Sequence, residues 1–256
     1  MLSTFPGMNL PARLLTIALI TVPAVPALAV ANHPVTAPAA AAPVLVARYN
    51  FDGGAAGGRV AELSGRGAPL TLRTAGGGTV RFLAAKTGRY AGFPVRCATG
   101  AATCPRALLE GTDDPDMDPG TQTFRWGATV NIPKAQLAGS ANLIQKGVAT
   151  TESQWKMQVG EMHGKAQCVV VGRGSSKPYL VRSSNAVADG QWHKVLCLRS
   201  GGALSVYVDG TLRGRTTIPA AMSIVNDKPL RIGGPNFNTS SDMYHGYLDD
   251  VYAQLG

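Results

Sequence analysis

The sequence predicts an all-β fold, a two-sheet antiparallel β-sandwich, from three observations. Apolar and polar residues alternate with a period of two in many segments, whereas the 3.6-residue period of an amphipathic helix is nearly absent. Gly, Pro, Asn and Asp interrupt these segments, as is typical of turns between strands. The segments number about a dozen, and so many short strands in one chain indicate two packed sheets.

The strongest strand pattern lies at residues 124–132, where every second residue is apolar. Residues 155–159 and 204–208 alternate in the same way. The second of these runs ends at Asp209-Gly210, a dipeptide suited to the positive φ angles of a two-residue hairpin turn. Residues 211–216 are therefore the predicted returning strand. The other predicted strands lie at residues 44–51, 70–73, 80–82, 142–145, 168–171, 179–182, 193–199, 230–232 and 247–254.

Residues 1–31 are predicted to form a signal peptide. Arg13 is the only charged residue before the small residues that end this segment, and the apolar run that follows it is too short to anchor a chain in a bilayer. Cleavage after Ala29 and cleavage after Ala31 remain alternatives. The protein is therefore expected to be secreted and extracellular, with no segment that inserts into a membrane.

The remainder is predicted to be one linker and one domain. Residues 32–43 consist largely of Ala, Pro and Val, a composition typical of a linker. Residues 44–256 have a length that suits a single all-β domain. The oligomeric state is left open.

Four cysteines in an exported chain predict two disulfides. Three pairings exist, and we favour Cys97–Cys104 with Cys168–Cys197, because each closes a segment that the strand pattern makes locally compact. A thiolate metal site would need close pairs such as C-x-x-C, which the sequence lacks.

The chain is basic, with a formal net charge of +9. Its Lys and Arg residues are scattered singly, without the basic runs and interleaved aromatic residues of nucleic-acid-binding proteins. We therefore expect no nucleic-acid partner. The charge favours solubility and attraction to an acidic cell surface.

Six short motifs, spread over nearly all of the predicted domain, carry a family resemblance. They are V-A-R-Y-N-F-D at 46–52, D-P-G at 118–120, D-G-Q-W-H-K-V at 189–195, L-S-V-Y-V-D-G at 204–210, P-L-R-I-G-G at 229–234 and G-Y-L-D-D-V at 246–251. Together they resemble the laminin-G-like, jelly-roll branch of the concanavalin A-like superfamily, of the secreted bacterial type. The resemblance implies a jelly-roll sandwich with a cross-strand disulfide at Cys168 and Cys197. It does not identify the ligand.

Two groups of carboxylates are candidate calcium sites. The acidic run at 113–118 begins like an EF-hand loop, but Pro119 and Arg125 stand where that loop needs Gly and Glu, so an EF-hand is excluded. A looser rim site and a solvated acidic loop remain alternatives. Asp52 can meet Asp249 or Asp250 where the terminal strands pair, either around a structural Ca²⁺, as the resemblance implies, or through hydrogen bonds to turn amides.

A long polar loop at 235–244 is the predicted ligand site. It offers two aromatic rings together with amide and carboxylate groups, the combination that sugar recognition needs, while an ordinary loop with one anchoring ring is the alternative. The predicted ligand-binding residues are Asn236, Phe237, Asn238, Asp242 and Tyr244.

Trp192 and His193 are the most conspicuous residues of the D-G-Q-W-H-K-V motif. Trp192 is expected to pack in the core with Leu196 and Leu198, although an exposed Trp could instead stack on a sugar ring. His193 is expected to be structural.

The leading functional hypothesis is a secreted, non-catalytic binding module whose partner is a glycan or an extracellular surface protein. A glycoside hydrolase or polysaccharide lyase is the alternative, and a structural cell-surface protein is the third. No Glu has an acid two residues away, and Asp249 and Asp250 are adjacent, which puts them on opposite faces of a regular strand. G-x-S-x-G and H-E-x-x-H motifs are absent from the sequence.

Overall fold

The alternating segments pair into two antiparallel sheets that face each other as a β-sandwich. A computed structural model describes residues 42–98, 101–137, 139–150, 152–160, 163–238 and 242–256. The predicted signal peptide and all but the last two residues of the predicted linker lie outside the described residues. The predicted two-sheet, all-β fold is confirmed.

Strands account for most of the regular structure. The strands are β1 (Val44–Tyr49), β2 (Arg59–Val60), β3 (Leu70–Ala75), β4 (Arg81–Ala84), β5 (Arg89–Gly92), β6 (Arg106–Glu110), β7 (Phe124–Asn131), β8 (Ala141–Gly147), β9 (Gln154–Gly160), β10 (Lys165–Val171), β11 (Tyr179–Ala186), β12 (His193–Ser200), β13 (Ala203–Val208), β14 (Thr211–Thr217), β15 (Leu230–Ile232) and β16 (Tyr247–Leu255). Two short 3-10 helices lie at Pro115–Met117 and Lys134–Gln136. Within the described ranges, no helix is long and apolar enough to cross a membrane.

Sheet A has the order β14-β13-β12-β7-β16-β5-β4, with β1 also paired to β16. Sheet B has the order β11-β10-β9-β8-β15-β6-β3-β2. Each predicted strand overlaps an observed one, whereas β2, β5 and β6 were not predicted. β2 has two residues and β5 has four, too few to show a period, and the Arg-Ala-Leu-Leu-Glu sequence of β6 consists of good helix formers that the sheet overrides.

Three large aromatic rings from the two sheets form the centre of the core. Phe124 and Trp126 of β7 stack at 5.4 Å between ring centroids, and Trp155 of β9 meets them at 5.1 and 5.7 Å. All three side chains are fully buried. The Trp155 indole N–H donates to the carbonyl of Met117 at 2.9 Å, which ties the 3-10 helix to this cluster.

The disulfide Cys168–Cys197 joins the two sheets across the core. Cys168 lies on β10 of sheet B and Cys197 on β12 of sheet A, both fully buried, with their Cα atoms 5.7 Å apart. The second disulfide, Cys97–Cys104, closes the connection between β5 and β6. Both predicted pairings are therefore present in the structure.

Strand β16 changes neighbour half-way along its length. Leu248 pairs with β5, whereas residues from Val251 onward pair with β1, and a bulge with Asp250 at a φ of 46° separates the two halves. Leu248 and Val251 are both buried. The extra residue leaves both Asp249 and Asp250 on the outer side of the sheet. The expectation that the adjacent Asp249 and Asp250 lie on opposite faces of the strand is therefore wrong.

His193 connects two of the sequence motifs. Its Nδ1 lies 2.8 Å from Oδ2 of Asp209, in the β13–β14 turn, and its Nε2 lies 3.2 Å from the carboxylate of Asp189. Asp209 also accepts a hydrogen bond from the backbone N–H of Lys194 at 2.8 Å. The D-G-x-W-H and V-D-G motifs therefore occur together because the two aspartates hold one imidazole, and the structural role expected for His193 is supported.

We predict that His193 makes the stability of the fold depend on pH. Burial opposes its charge, but the hydrogen bonds with Asp209 and Asp189 outweigh burial and raise the pKa of His193 above its usual value. This stabilisation is complete below the unfolded pKa of about 6.5 and is lost as pH rises through the raised pKa. Melting of the wild type and His193→Gln should differ most near pH 6 and less above pH 8. A difference in melting that stays constant with pH would contradict the prediction.

We predict that removing the disulfide between the sheets costs more stability than removing the peripheral one. Replacing Cys168 and Cys197 by Ala should lower the free energy of unfolding by about 3.5 kcal/mol, because the bridge closes the longer loop. The matched change at Cys97 and Cys104 should cost about 2.5 kcal/mol, since that loop is shorter. Denaturant unfolding measures both losses in the free energy of unfolding. A larger loss from removing Cys97–Cys104 than from removing Cys168–Cys197 would contradict the prediction.

Candidate functional site

A row of amide side chains crosses the outer face of sheet B. Asn142 on β8 pairs with Gln158 on β9, Gln158 pairs with Gln167 on β10, and Gln167 pairs with Arg182 on β11. The alternate residues of β9, Trp155 among them, face the core, so these four side chains point outward. We call Asn142, Gln158 and Gln167 the amide row.

The amide row is buried although it lies on an outer face. Asn142, Gln158 and Gln167 are 2%, 5% and 8% exposed. The side-chain amide of Asn142 donates to Oε1 of Gln145 at 2.7 Å, and that of Gln158 donates to Oε1 of Gln167 at 2.6 Å. Oδ1 of Asn142 and Oε1 of Gln158 accept no hydrogen bond from the described part of the chain. Among the described residues, these two buried acceptors therefore have no donor, which is a costly arrangement for buried polar atoms.

The amide row borders a groove of about 550 Å³. This volume falls within the range of about 300–1,000 Å³ that small-molecule sites occupy. Gly160, which also lines the groove, leaves space for the side chain of Gln167, because a Cβ at this position would collide with the amide nitrogen of Gln167. The groove is lined by Ser140, Gln158, His163, Lys165, Gln167 and Arg182, among others.

Basic groups surround the groove. Lys165 and Arg182 line it, and Lys156 lies on the same outer face, next to Gln158 on β9. Burial lowers the pKa of Lys156, and the charge of Asp242 partly opposes that shift. The described residues that line the groove include no Asp or Glu. The groove therefore combines hydrogen-bonding amides with positive charge.

The sequence of this domain matches a known protein family. Residues 113–253 match Laminin_G_3, a family of the concanavalin A-like lectin/glucanases superfamily. The chain belongs to this family. The laminin-G-like resemblance drawn from the motifs is thus confirmed. Among curated protein sequences, none matches this laminin-G-like chain.

Several solved structures with a similar fold are binding domains. Domain 4 of AbnA, an extracellular GH43 arabinanase from Geobacillus stearothermophilus, in complex with arabinotriose, matches with a TM-score of 0.63 and 17% identity, over 84% of this chain and 93% of that domain. The binding domain of Paraclostridial Mosquitocidal Protein 1 matches with a TM-score of 0.58 and 13% identity, over 82% of this chain and 48% of that chain. A structure of botulinum neurotoxin type C, whose cell entry depends on interaction with two ganglioside molecules, matches with a TM-score of 0.58 and 10% identity, over 82% of this chain and 47% of that chain. The laminin-G-like chain spans about half the length of these toxin domains.

The predicted loop at 235–244 ends beside the groove. The carbonyl of Asp242 accepts a hydrogen bond from the backbone N–H of Asn142 at 3.0 Å. Earlier in the loop, Oδ1 of Asn236 accepts a hydrogen bond from the backbone N–H of Asn238 at 2.8 Å. The guanidinium of Arg106 lies 6.0 Å from the centroid of the half-buried Phe237 ring and donates to the Phe237 carbonyl.

Tyr244 anchors this loop to the body of the domain. Its ring is fully buried and meets Phe93 edge to face at 5.6 Å. Its hydroxyl lies 3.0 Å from the carbonyl of Asn131 and 2.9 Å from that of Tyr247. Of the five predicted ligand-binding residues, Tyr244 therefore lies away from the surface, and a role in binding for the other four stays a prediction.

Asp52, Asp249 and Asp250 lie near one another, and each has a protein partner. Asp250 pairs with Arg48 at 2.7 Å, Oδ1 of Asp52 accepts from the backbone N–H of Arg89 at 2.7 Å, and Oδ1 of Asp249 accepts from the backbone N–H of Asp250 at 2.7 Å. Burial, with the charges of Asp250 and Asp52, raises the pKa of Asp249. These contacts correspond to the hydrogen-bonding alternative. Among the described residues, no group of three or more His, Cys, Asp or Glu side chains is arranged to hold a metal ion.

The acidic run at 113–118 is held by basic side chains. The buried ammonium of Lys146 lies 2.9 Å from Asp113 and 2.8 Å from Asp118. Asp116 pairs with Arg66, and Asp114 caps the first 3-10 helix through the backbone N–H of Asp116. The solvated-loop alternative therefore describes this segment only in part, because a buried lysine holds its carboxylates together.

The prediction that Trp192 packs in the core is wrong. This tryptophan is 42% exposed and precedes β12, whose buried side chains are Val195, Cys197 and Arg199. Leu196 and Leu198 lie on the outer face of the strand, because they alternate with these three. The alternation of residues 195, 197 and 199 indicates which face of β12 is buried. It is hard to recognise in the sequence because Arg199 is charged, and charged residues are unusual on an inward face.

Calcium binding stays a prediction, which chelation tests. A cation held by Asp52, Asp249 and Asp250 at one hundred times its Kd would add about 2.7 kcal/mol to the free energy of unfolding. Melting should then fall after EDTA treatment and recover on addition of CaCl₂, and Asp52→Asn should abolish the effect. Identical melting curves in EDTA and CaCl₂ would refute a structural cation.

Proposed function

We propose that this chain is an exported, non-catalytic saccharide-binding module that holds its ligand in the groove on sheet B. The observation that carries the proposal is the groove on sheet B, where the side chains of Gln158 and Gln167 lie beside basic groups. Sugar hydroxyls are donors and acceptors at once, so they can pair with these amides and accept from the neighbouring basic groups.

The charge of the groove favours acidic saccharides. Lys165 and Arg182 line it, and a carboxylate or sulfate on the ligand would gain charge-assisted hydrogen bonds from them. The net charge of +9 favours approach to an acidic surface in the same way. Binding of acidic saccharides is therefore expected to weaken as salt is added.

The solved relatives support a binding role. One matching domain was solved in complex with arabinotriose, and one matching toxin depends on ganglioside molecules for cell entry. Export is supported by the two disulfides, which persist in oxidising compartments. An extracellular surface protein that carries such a glycan is the corresponding macromolecular partner.

The lining of the groove supports binding rather than cleavage. A glycosidase needs two carboxyl groups across the scissile bond, and the described residues lining the groove supply none. A hydrolase or lyase on this fold is the alternative that an activity assay on each bound glycan would reveal.

We predict that the amide row carries glycan binding. On an array of neutral, carboxylated and sulfated glycans, the protein should bind acidic glycans, and Gln158→Ala and Gln167→Ala should each weaken the strongest interaction about tenfold, or about 1.4 kcal/mol. Gln254→Ala, an amide on β16 of the other sheet, is the matched control and should bind normally. Array binding that survives both groove changes but is lost in Phe237→Ala would move the site to the 235–244 loop, and no binding to any glycan would refute the proposal.

A further inference from the structure

Three aromatic rings form a surface cluster on sheet A, opposite to the groove. The ring centroid of Tyr90 on β5 lies 5.2 Å from that of Trp192 and 5.3 Å from that of Tyr247 on β16, both nearly edge to face. Trp192 and Tyr247 are 6.4 Å apart. We call Tyr90, Trp192 and Tyr247 the aromatic cluster.

The aromatic cluster is exposed to a degree that folding does not explain. Trp192 is 42% exposed and Tyr247 is 36% exposed, whereas Trp126 and Trp155 are completely buried. Large rings stabilise a fold by burial, so rings grouped at a surface indicate a binding site more often than a structural one.

Polar groups surround a hollow beside these rings. The hollow measures about 370 Å³, and Tyr90 and Trp192 form its apolar wall. Thr129, Asp249 and Lys86 also line it. The bulge in β16 directs Asp249 outward into this position instead of toward the core. The hollow therefore pairs ring surfaces with a hydroxyl, a carboxylate and an ammonium.

We propose that this hollow is a second saccharide-binding site, which takes one uncharged sugar ring stacked on Trp192. The apolar C–H face of a sugar ring matches the indole surface, while the hydroxyls on its edge can donate to Asp249 and accept from Thr129 and Lys86. This site goes beyond the function proposed for the groove, because it lies on the other sheet, shares no residue with the groove and has a different ligand class.

Charge and shape decide the occupant. Asp249 has a second carboxylate, Asp250, beside it, which disfavours an acidic sugar. A protein partner would favour a flat apolar patch with a polar rim, whereas here the polar groups converge within one hollow of ligand size. A neutral sugar satisfies both conditions.

Trp192 supplies its own optical reporter. The chain contains three Trp residues, and the other two are completely buried, so a ligand at the aromatic cluster should change the emission and acrylamide quenching of Trp192 alone. The full chain would be titrated with arabinotriose, xylotriose, cellotriose and maltotriose. At least one trisaccharide should shift the emission and protect it from acrylamide, and Trp192→Phe should remove this response.

Calorimetry with the responding trisaccharide locates the site. Trp192→Ala and Tyr90→Ala should each weaken binding at least tenfold, while Leu212→Ala, an exposed apolar residue elsewhere on sheet A, should leave it unchanged. Gln158→Ala and Gln167→Ala should also leave it unchanged, because they alter only the groove. Circular dichroism and melting would confirm that each variant is folded.

Three results would overturn this second site. The first is the absence of any optical response to all four trisaccharides. The second is loss of the response in Gln158→Ala, which would place the sugar in the groove. The third is a self-associated protein that Trp192→Ala converts to monomer without any sugar response, which would make the cluster a protein interface. Failure of the groove proposal appears separately, as array binding that survives Gln158→Ala and Gln167→Ala.

Discussion

The structure depends on the contact between the inner faces of its two sheets. Trp126 from sheet A and Trp155 from sheet B fill the space between them, and Cys168–Cys197 bonds the sheets covalently beside this contact. Burial of the large rings supplies a hydrophobic driving force, and the disulfide limits how far the unfolded chain can separate. With the inner faces used in this way, the outer faces can carry residues that stability alone would not select.

Two buried cations extend this constraint to the loops. The guanidinium of Arg199 donates to the carbonyls of Gln122 at 2.6 Å and Met222 at 2.7 Å, and it reaches two further loop carbonyls. Burial lowers its pKa, although a guanidinium remains charged at any ordinary pH. Lys146 plays the same part for the acidic run through Asp113 and Asp118. Each of these two buried cations therefore binds oxygen atoms from separate segments of the chain and holds those segments together.

The two outer faces differ in chemistry because different residues occupy the outward positions. On sheet B those positions hold amides, so Gln158 and Gln167 form a polar row beside the groove. On sheet A, the bulge at Asp250 directs Asp249 outward, near Trp192 and Tyr90. A polar groove and an aromatic hollow thus occupy opposite faces of one scaffold.

Much of the fold could be predicted from local sequence alone, since a period of two is a property of neighbouring residues. The strands at 124–132 and 204–208 and the Asp209-Gly210 turn follow from the spacing of residues in the sequence. For the disulfides, the sequence leaves three pairings possible and favours the two observed ones, because each closes a segment that the strand pattern makes compact. The 235–244 loop was a reasonable candidate site for the same reason, because its amides and rings are adjacent in sequence.

The sequence by itself determined the two-layer architecture, the strands that build most of it and the cysteines that clamp it. Only the tertiary structure decided that Asn142, Gln158 and Gln167 form one row, that a bulge turns Asp249 outward and that Trp192 meets Tyr90 and Tyr247 at the surface. The physical reason is that these arrangements depend on the register between strands, which is set by hydrogen bonds among segments far apart in the chain.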